Sequence, residues 1–322
     1  MTSLTFSNFH IRLIKVIYEE SNATGQWVMA VNFSGGIEAG SFGDAVGFAG
    51  DGTVIAIGDK ISDDRGLEDA GVVRIYQEVN GIWSPMGNAL VGSKRSKLFG
   101  WSVSLSQDGS RVAASSLKGG EPGNVHIFDF NGTVWETAGS SLIGESTREN
   151  FGFSVKLSGD GDVLAIGAPD YSRKTQGEDD MEEDGVGIVR SYRYDGEWTA
   201  YGQPLEGENR QDAFGSSVSL SKDGSTIAIG GPENGNFCNS CGQVKIFQSS
   251  TTTSSNKENA WESVGSSLGK RDIDNGQFGY AVALSENGKR VVGASPFTKF
   301  DGSISRIGQV VVFDSIIEED TE

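Results

Sequence analysis

The carboxylates are this chain's chief candidates for chemistry, and they are unevenly placed. The loop 169–187, PDYSRKTQGEDDMEEDGVG, holds seven acidic and two basic residues. Asp170 stands near its start, and Asp179, Asp180, Glu182, Glu183 and Asp184 cluster further on. Asp63 and Asp64 sit in a shorter loop, DKISDDRGLEDAG (59–71). Grouped acids suit cations or a basic partner, and two of them at the right separation can cleave a glycosidic bond. A smaller knot, GDGD at 159–162, raises the question of calcium. That ion takes six to eight oxygens from a loop long enough to wrap it. Here Val163 and Leu164 resume an apolar run straight after Asp162. Asp-Gly is a hairpin signal, because both residues tolerate positive φ. We therefore expect a turn, with no calcium in it and no other cofactor.

Other chemistries find less support. There is no G-x-S-x-G elbow, and the histidines are His10 and His126. His126 occupies a position in GNVHIF that is Arg74, Arg190 or Lys245 in similar runs, and it reads as a surface polar slot. Cys238 and Cys241, in NFCNSCGQ, fall short of the four ligands of a structural zinc site. A local disulfide and a pair of free thiols both stay open.

The elements that must carry these residues repeat. FG recurs at Phe42-Gly43, Phe99-Gly100, Phe151-Gly152, Phe214-Gly215 and Phe278-Gly279. Each copy runs on through an Asp-Gly or Asn-Gly turn into a small apolar run, then a G-x-V run ending in an aromatic. A tryptophan run follows, at Trp83, Trp135, Trp198 and Trp261. Each unit reads as four short strands rich in β-branched and aromatic residues and bounded by turn residues. In FGFSVKLS the large residues Phe151, Phe153, Val155 and Leu157 alternate with Gly152, Ser154, Lys156 and Ser158. Period two gives each sheet a bulky face and a flat one. Stacking bulky on flat around an axis produces a β-propeller of four-stranded antiparallel blades.

We expect an all-β fold with one domain over 1–314, units starting near 42, 99, 151, 214 and 278, and an acidic tail at 315–322. Residues 11–34 resemble half a unit, with Trp27 at the tryptophan position. They are expected to complete the last blade, so that five blades close with both chain ends in one sheet.

The FG pairs, together with IGAP (166–169), IGGP (229–232) and VGASP (292–296), resemble FG-GAP repeats, the units of the integrin α-chain β-propeller. The resemblance implies a non-catalytic adhesion or recognition module at the cell surface or outside the cell. It also implies that calcium, where bound, occupies a longer Asp-rich loop than any found here.

The totals narrow the partners. A net charge of −18 argues against nucleic acid and favours cationic partners. No apolar run approaches the ~20 residues that span a bilayer. The first twenty residues lack the pattern of a secretory signal. The expectation is a monomeric, non-enzymatic propeller that binds a protein or glycan through Asp63, Asp64, Asp170, Asp179, Asp180, Glu182, Glu183 and Asp184. The alternatives are a glycoside hydrolase-like propeller with paired carboxylates near the axis, and a bare scaffold.

Overall fold

The computed structural model describes residues 14–20, 27–35, 41–63, 66–94, 97–174, 182–236, 240–250, 260–269, 276–297 and 308–314. The side chains of 14–28, 174, 182, 183 and 260 lie outside that description. No α-helix occurs among the described residues. Each repeat forms an antiparallel sheet whose strands lie side by side in chain order. The first sheet joins Ala45–Phe48, Val54–Asp59, Val72–Val79 and Ile82–Pro85. The second joins Phe99–Leu105, Arg111–Ser116, Asn124–Phe130 and Trp135–Thr137. In the third, Ser154–Leu157, Val163–Ala168, Ile188–Tyr194 and Trp198–Ala200 follow the same order. The fourth uses Ser217–Leu220, Thr226–Gly231, Gln243–Ser250 and Ala260–Ser263. The fifth has three strands, Ala281–Leu284, Arg290–Ser295 and Gln309–Asp314.

The sheets stack face to face as a β-propeller does. Val54, Ala56, Val73 and Ile75 of the first bury Phe99, Val103, Leu105 and Ala114 of the second. The same pattern repeats from the second to the third sheet, the third to the fourth and the fourth to the fifth. On the flat face, serines replace bulk with hydrogen bonds. Ser104 Oγ accepts the Leu157 N–H at 3.0 Å, and Ser219 Oγ accepts the Leu284 N–H at 2.9 Å.

The outer strands are riveted by tryptophan. Trp135 donates its indole N–H to the Met86 carbonyl at 2.7 Å, and Trp198 to that of Ala138 at 2.9 Å. Trp261 reaches both Ser191 Oγ (2.7 Å) and the Tyr201 carbonyl (3.1 Å).

The expected closure is corrected. The strand Trp27–Ser34 pairs with Ile14–Glu20, and the fifth sheet gains no fourth strand among the described residues. Phe33 instead packs on Phe42, Ile55 and Ile57 of the first sheet, with Trp83 edge-on at 5.8 Å. No comparable packing joins the fifth sheet to the first among the described residues, and Phe48, Val310 and Val312 stay exposed. An equally apolar surface at the first sheet competed for the strand, and hydrophobic pattern does not choose between two such surfaces.

GDGD is a turn. Asp160 Oδ1 accepts from Ser158 Oγ (2.5 Å) and the Asp162 N–H (3.1 Å), and Ser158 Oγ accepts the Val163 N–H (2.9 Å). Ser106 with Asp108, Ser221 with Asp223 and Ser285 with Asn287 repeat the arrangement. Asp162 belongs to a clamp between two sheets. Arg111 pairs with Asp129 (2.6 Å) and Asp162 (3.1 Å), and its guanidinium lies 4.1 Å from the Tyr194 ring. His126 is no surface slot: it is half-buried, 5.9 Å from the Phe99 ring, and burial lowers its pKa.

The turns make stability depend on pH. Burial alone would push Asp108 and Asp223 up, but bonds from the flanking serines outweigh it and hold both below the ordinary aspartate value. Thr53 lowers Asp51 through its N–H and hydroxyl. Unfolded aspartates titrate near ~3.9, so these turns contribute fully above about that pH and lose their contribution as pH falls through the lower folded values. Urea unfolding between about pH 5 and pH 3 should therefore show a shallower loss of stability in the double variant Asp108→Asn, Asp223→Asn than in the wild type. Equal slopes would contradict the assignment.

Candidate active site

At one end of the sheets the turn apices are tied together beside a cavity of about 680 Å³ lined by Gln107, Gly159, Lys222 and Glu286. The turn apices Gly50, Gln107, Gly159, Lys222 and Glu286 are joined in succession by N–H to carbonyl bonds of 2.7, 2.8, 2.7 and 2.8 Å. Gln107 Nε2 then donates across the axis to Glu286 Oε1 at 3.0 Å. The connectors that vary in length lie at the other end, where loops on a constant scaffold usually carry function.

Buried carboxylates fold those connectors. Glu149 accepts the Glu145 N–H at 2.6 Å and pairs with Arg190 at 3.1 Å, while Asp212 accepts the Glu208 and Asn209 N–H groups at 2.9 Å each. Asp59 accepts the Ser41 N–H at 2.7 Å, and burial pushes its pKa up. These acids are committed to structure.

Two others are not. The residue before the repeat phenylalanine is left-handed in four units: Leu98, Asn150, Ala213 and Gln277 have φ of 52°, 54°, 53° and 55°. Non-glycine residues adopt that region at a cost and collect at functional sites. Asn150 Nδ2 donates to Asp170 Oδ2 at 2.5 Å, and Gln277 Nε2 donates to Glu233 Oε1. Asp170 and Glu233 hold the same register position, three residues past Gly167 and Gly230. They line one cleft of about 490 Å³ with Arg148, Asp184 and Gln211. An adjoining cavity of about 500 Å³ shares Gln211 and Glu233 and adds Asn209, Arg210 and Asn236.

Asp170 stands exposed at the cleft, yet partial desolvation there raises it above the ordinary aspartate value, against the opposing bond from Asn150. Glu233 accepts an N–H from the Gln277 amide. The Arg148 side chain has no ion pair among the described residues, and Asp184 is paired with Arg210 at 3.1 Å.

Aromatic rings share this end of the axis. Trp101 and Phe153, each two residues past a repeat phenylalanine, lie 5.7 Å apart. Lys60 sits 4.3 Å over the Trp101 ring and pairs with Asp44 at 3.0 Å. Tyr280, 56% exposed, meets Phe297 at 6.0 Å. Phe297 occupies in the fifth sheet the register of Asp170 and Glu233, so that register position faces the start of the inner strand.

Of the acids singled out from sequence, Asp170 and Asp184 reach the cleft. Asp63 accepts the Asp69 N–H at 2.8 Å and closes its own loop. Glu182 and Glu183 pair as backbone with Arg173–Lys174, and their side chains lie outside the described residues, as do Asp64, Asp179 and Asp180 altogether. Cys241 is buried and disulfide-bonded, and Cys238 lies outside the described residues. Sequence reasoning missed Glu233, Asn150, Gln211, Gln277 and Arg148. A signal for the first was present, since GAPD and GGPE place an acid after the same proline.

No protein-family model and no curated protein matches this chain. Among solved structures it is similar to a periplasmic gluconolactonase, PpgL, of Pseudomonas aeruginosa, with a TM-score of 0.52 and 14% identity over 86% of this chain and 70% of that one. It also aligns with a putative TolB from Agrobacterium tumefaciens, at TM-score 0.47 and 12% identity over 94% and 84% of the two chains. The first likeness is one of fold, and the second is too slight to argue from. The expected non-catalytic adhesion role is corrected by this finding, because the solved structure of like fold is that of a gluconolactonase.

The state of Asp170 has a measurable consequence. Its raised folded pKa means stability is fullest below the unfolded value and falls as pH rises through the folded one. Asp170→Asn keeps the acceptor for Asn150 and removes that fall. At neutral pH its urea midpoint should equal or exceed the wild type's, and a clear drop would mark Asp170 as structural.

Proposed function

We propose that this propeller is a hydrolase of glycosidic bonds, with Asp170 as the acid and Glu233 as the base. The observation that carries the reading is the pair itself: two carboxylates at one register position of adjacent sheets, in one cleft, each held by the side chain of a strained residue. In the reaction Asp170 gives its proton to the leaving oxygen as the C–O bond breaks. Glu233 takes a proton from the water whose oxygen forms the new C–O bond. Asp170 ends ionised and Glu233 protonated, and exchange with solvent resets both. Trp101, Phe153 and Tyr280 offer apolar faces on which a sugar ring can stack. The gluconolactonase likeness adds only that this fold can house an enzyme. We also assign the repeats to the FG-GAP class on their motifs, with the five units supplying five blades.

The test is a panel of aryl glycosides and oligosaccharides assayed with wild type, Asp170→Asn and Glu233→Gln. Each substitution should lower kcat by about 10²-fold or more, with thermal unfolding unchanged. Turnover by both variants at the wild-type rate would sink the assignment.

A further inference from the structure

Among the described residues, one of the tryptophan slots holds no indole. Met86, Ala138, Tyr201 and Val264 are equivalent: their N–H groups bond to the carbonyls of Ile75, Ile127, Ser191 and Ile246 at 2.9, 2.9, 2.8 and 2.8 Å. The first three turn their own carbonyls to the indole N–H of the next sheet's tryptophan. The Val264 carbonyl receives no indole among the described residues, because the fifth sheet has no tryptophan strand. The adjacent glycines agree. A Cβ on Gly87 would lie 3.0 Å from Trp135 Cδ1, and one on Gly139 would lie 3.2 Å from Trp198 Cδ1. A Cβ on Gly265 would meet nothing within 4 Å. The space is a cavity of about 490 Å³ walled by Ile246, Val264, Leu268, Val291 and Phe313. Beside it runs the edge of Gln309–Asp314, which pairs on one side only, with Arg290–Ser295, among the described residues.

We propose that this slot and edge receive an extended, tryptophan-bearing segment of another chain. The segment adds antiparallel to Gln309–Asp314, as Trp135–Thr137 adds to Asn124–Phe130, and seats its indole on the Val264 carbonyl. Main-chain bonds supply affinity in such strand addition, and the side-chain pocket supplies specificity. A buried tryptophan supplies the largest apolar contact a single residue offers. Trp83, Trp135, Trp198 and Trp261 are committed to their own sheets, Trp101 lies against Phe153 and Lys60, and Trp27 stands on a strand already paired with Ile14–Glu20. A second copy would have to give up one of these pairings, so a separate partner with a free strand fits better.

The probe is a synthetic peptide of residues 132–144, GTVWETAGSSLIG, titrated calorimetrically into the intact chain. It should bind, and its Trp135→Ala version should bind at least tenfold more weakly. Ser266→Trp in the chain, which fills the slot from its exposed rim, should weaken binding as much. The peptide comparison needs no variant chain, so it stands even if Ser266→Trp fails to fold. Equal binding of the two peptides would overturn the proposal. Peptide binding by a Trp27→Ala chain but not by wild type would overturn it too, because the chain's own strand would then fill the slot. So would dimerisation of the wild type that Ser266→Trp abolishes, which would assign the slot to a second copy.

Discussion

The approach of one sheet's backbone to the next sets every other distance in this molecule. The glycine after each repeat phenylalanine has φ between 87° and 92°, in a region that side-chain-bearing residues rarely enter. That twist brings its carbonyl onto the second strand of the preceding sheet. A Cβ on Gly58 would lie 2.3 Å from the Gly100 oxygen, and one on Gly167 or Gly230 would lie 2.0 Å from that of Gly215 or Gly279. The phenylalanine beside it is driven into the space between the sheets, where Phe42, Phe151 and Phe214 are fully buried. Serine replaces glycine once, at Ser115, and the neighbour there is again a glycine, Gly152. Contact at this closeness leaves each sheet one way to sit on the next.

The cleft follows from that contact. In four of the five units the chain reverses sharply as it enters the phenylalanine–glycine step, and the residue before the phenylalanine is left-handed. Where that residue is Asn150 or Gln277, its amide is presented at the axial end and holds a carboxylate. Local strain thus orients Asp170 and Glu233, and the rigid stack beneath keeps them in one cleft. The apices at the far end are tied to one another by four main-chain bonds and one side-chain bond. Of the two carboxylates, Asp170 is the one raised above its ordinary value, which suits it to give a proton.

How much of this was legible depended on how local the information is. The sheets were readable because period-two alternation and turn chemistry lie within each unit, as in FGFSVKLSGDGD. Closure was not, because the partner of Trp27–Ser34 is a choice between two apolar surfaces far apart in sequence. Asp170 was legible as part of an acidic loop, yet for the wrong reason: its neighbours' abundance suggested a charged surface, and what distinguishes it is its place in the cleft and one bond from Asn150. Glu233 stands alone in a loop of little charge, so composition passes over it. The left-handed Asn150 and Gln277 are invisible in sequence, since glycine would have announced such a backbone and these residues do not.

The acid role falls to Asp170 because it holds its proton more tightly than an ordinary aspartate. Carboxyl ¹³C NMR titration of the chain, with Asp170 assigned by comparison with Asp170→Asn, measures this directly. Asp170 should titrate above the ordinary value of 3.8. A midpoint at or below 3.8 would contradict its role as the acid.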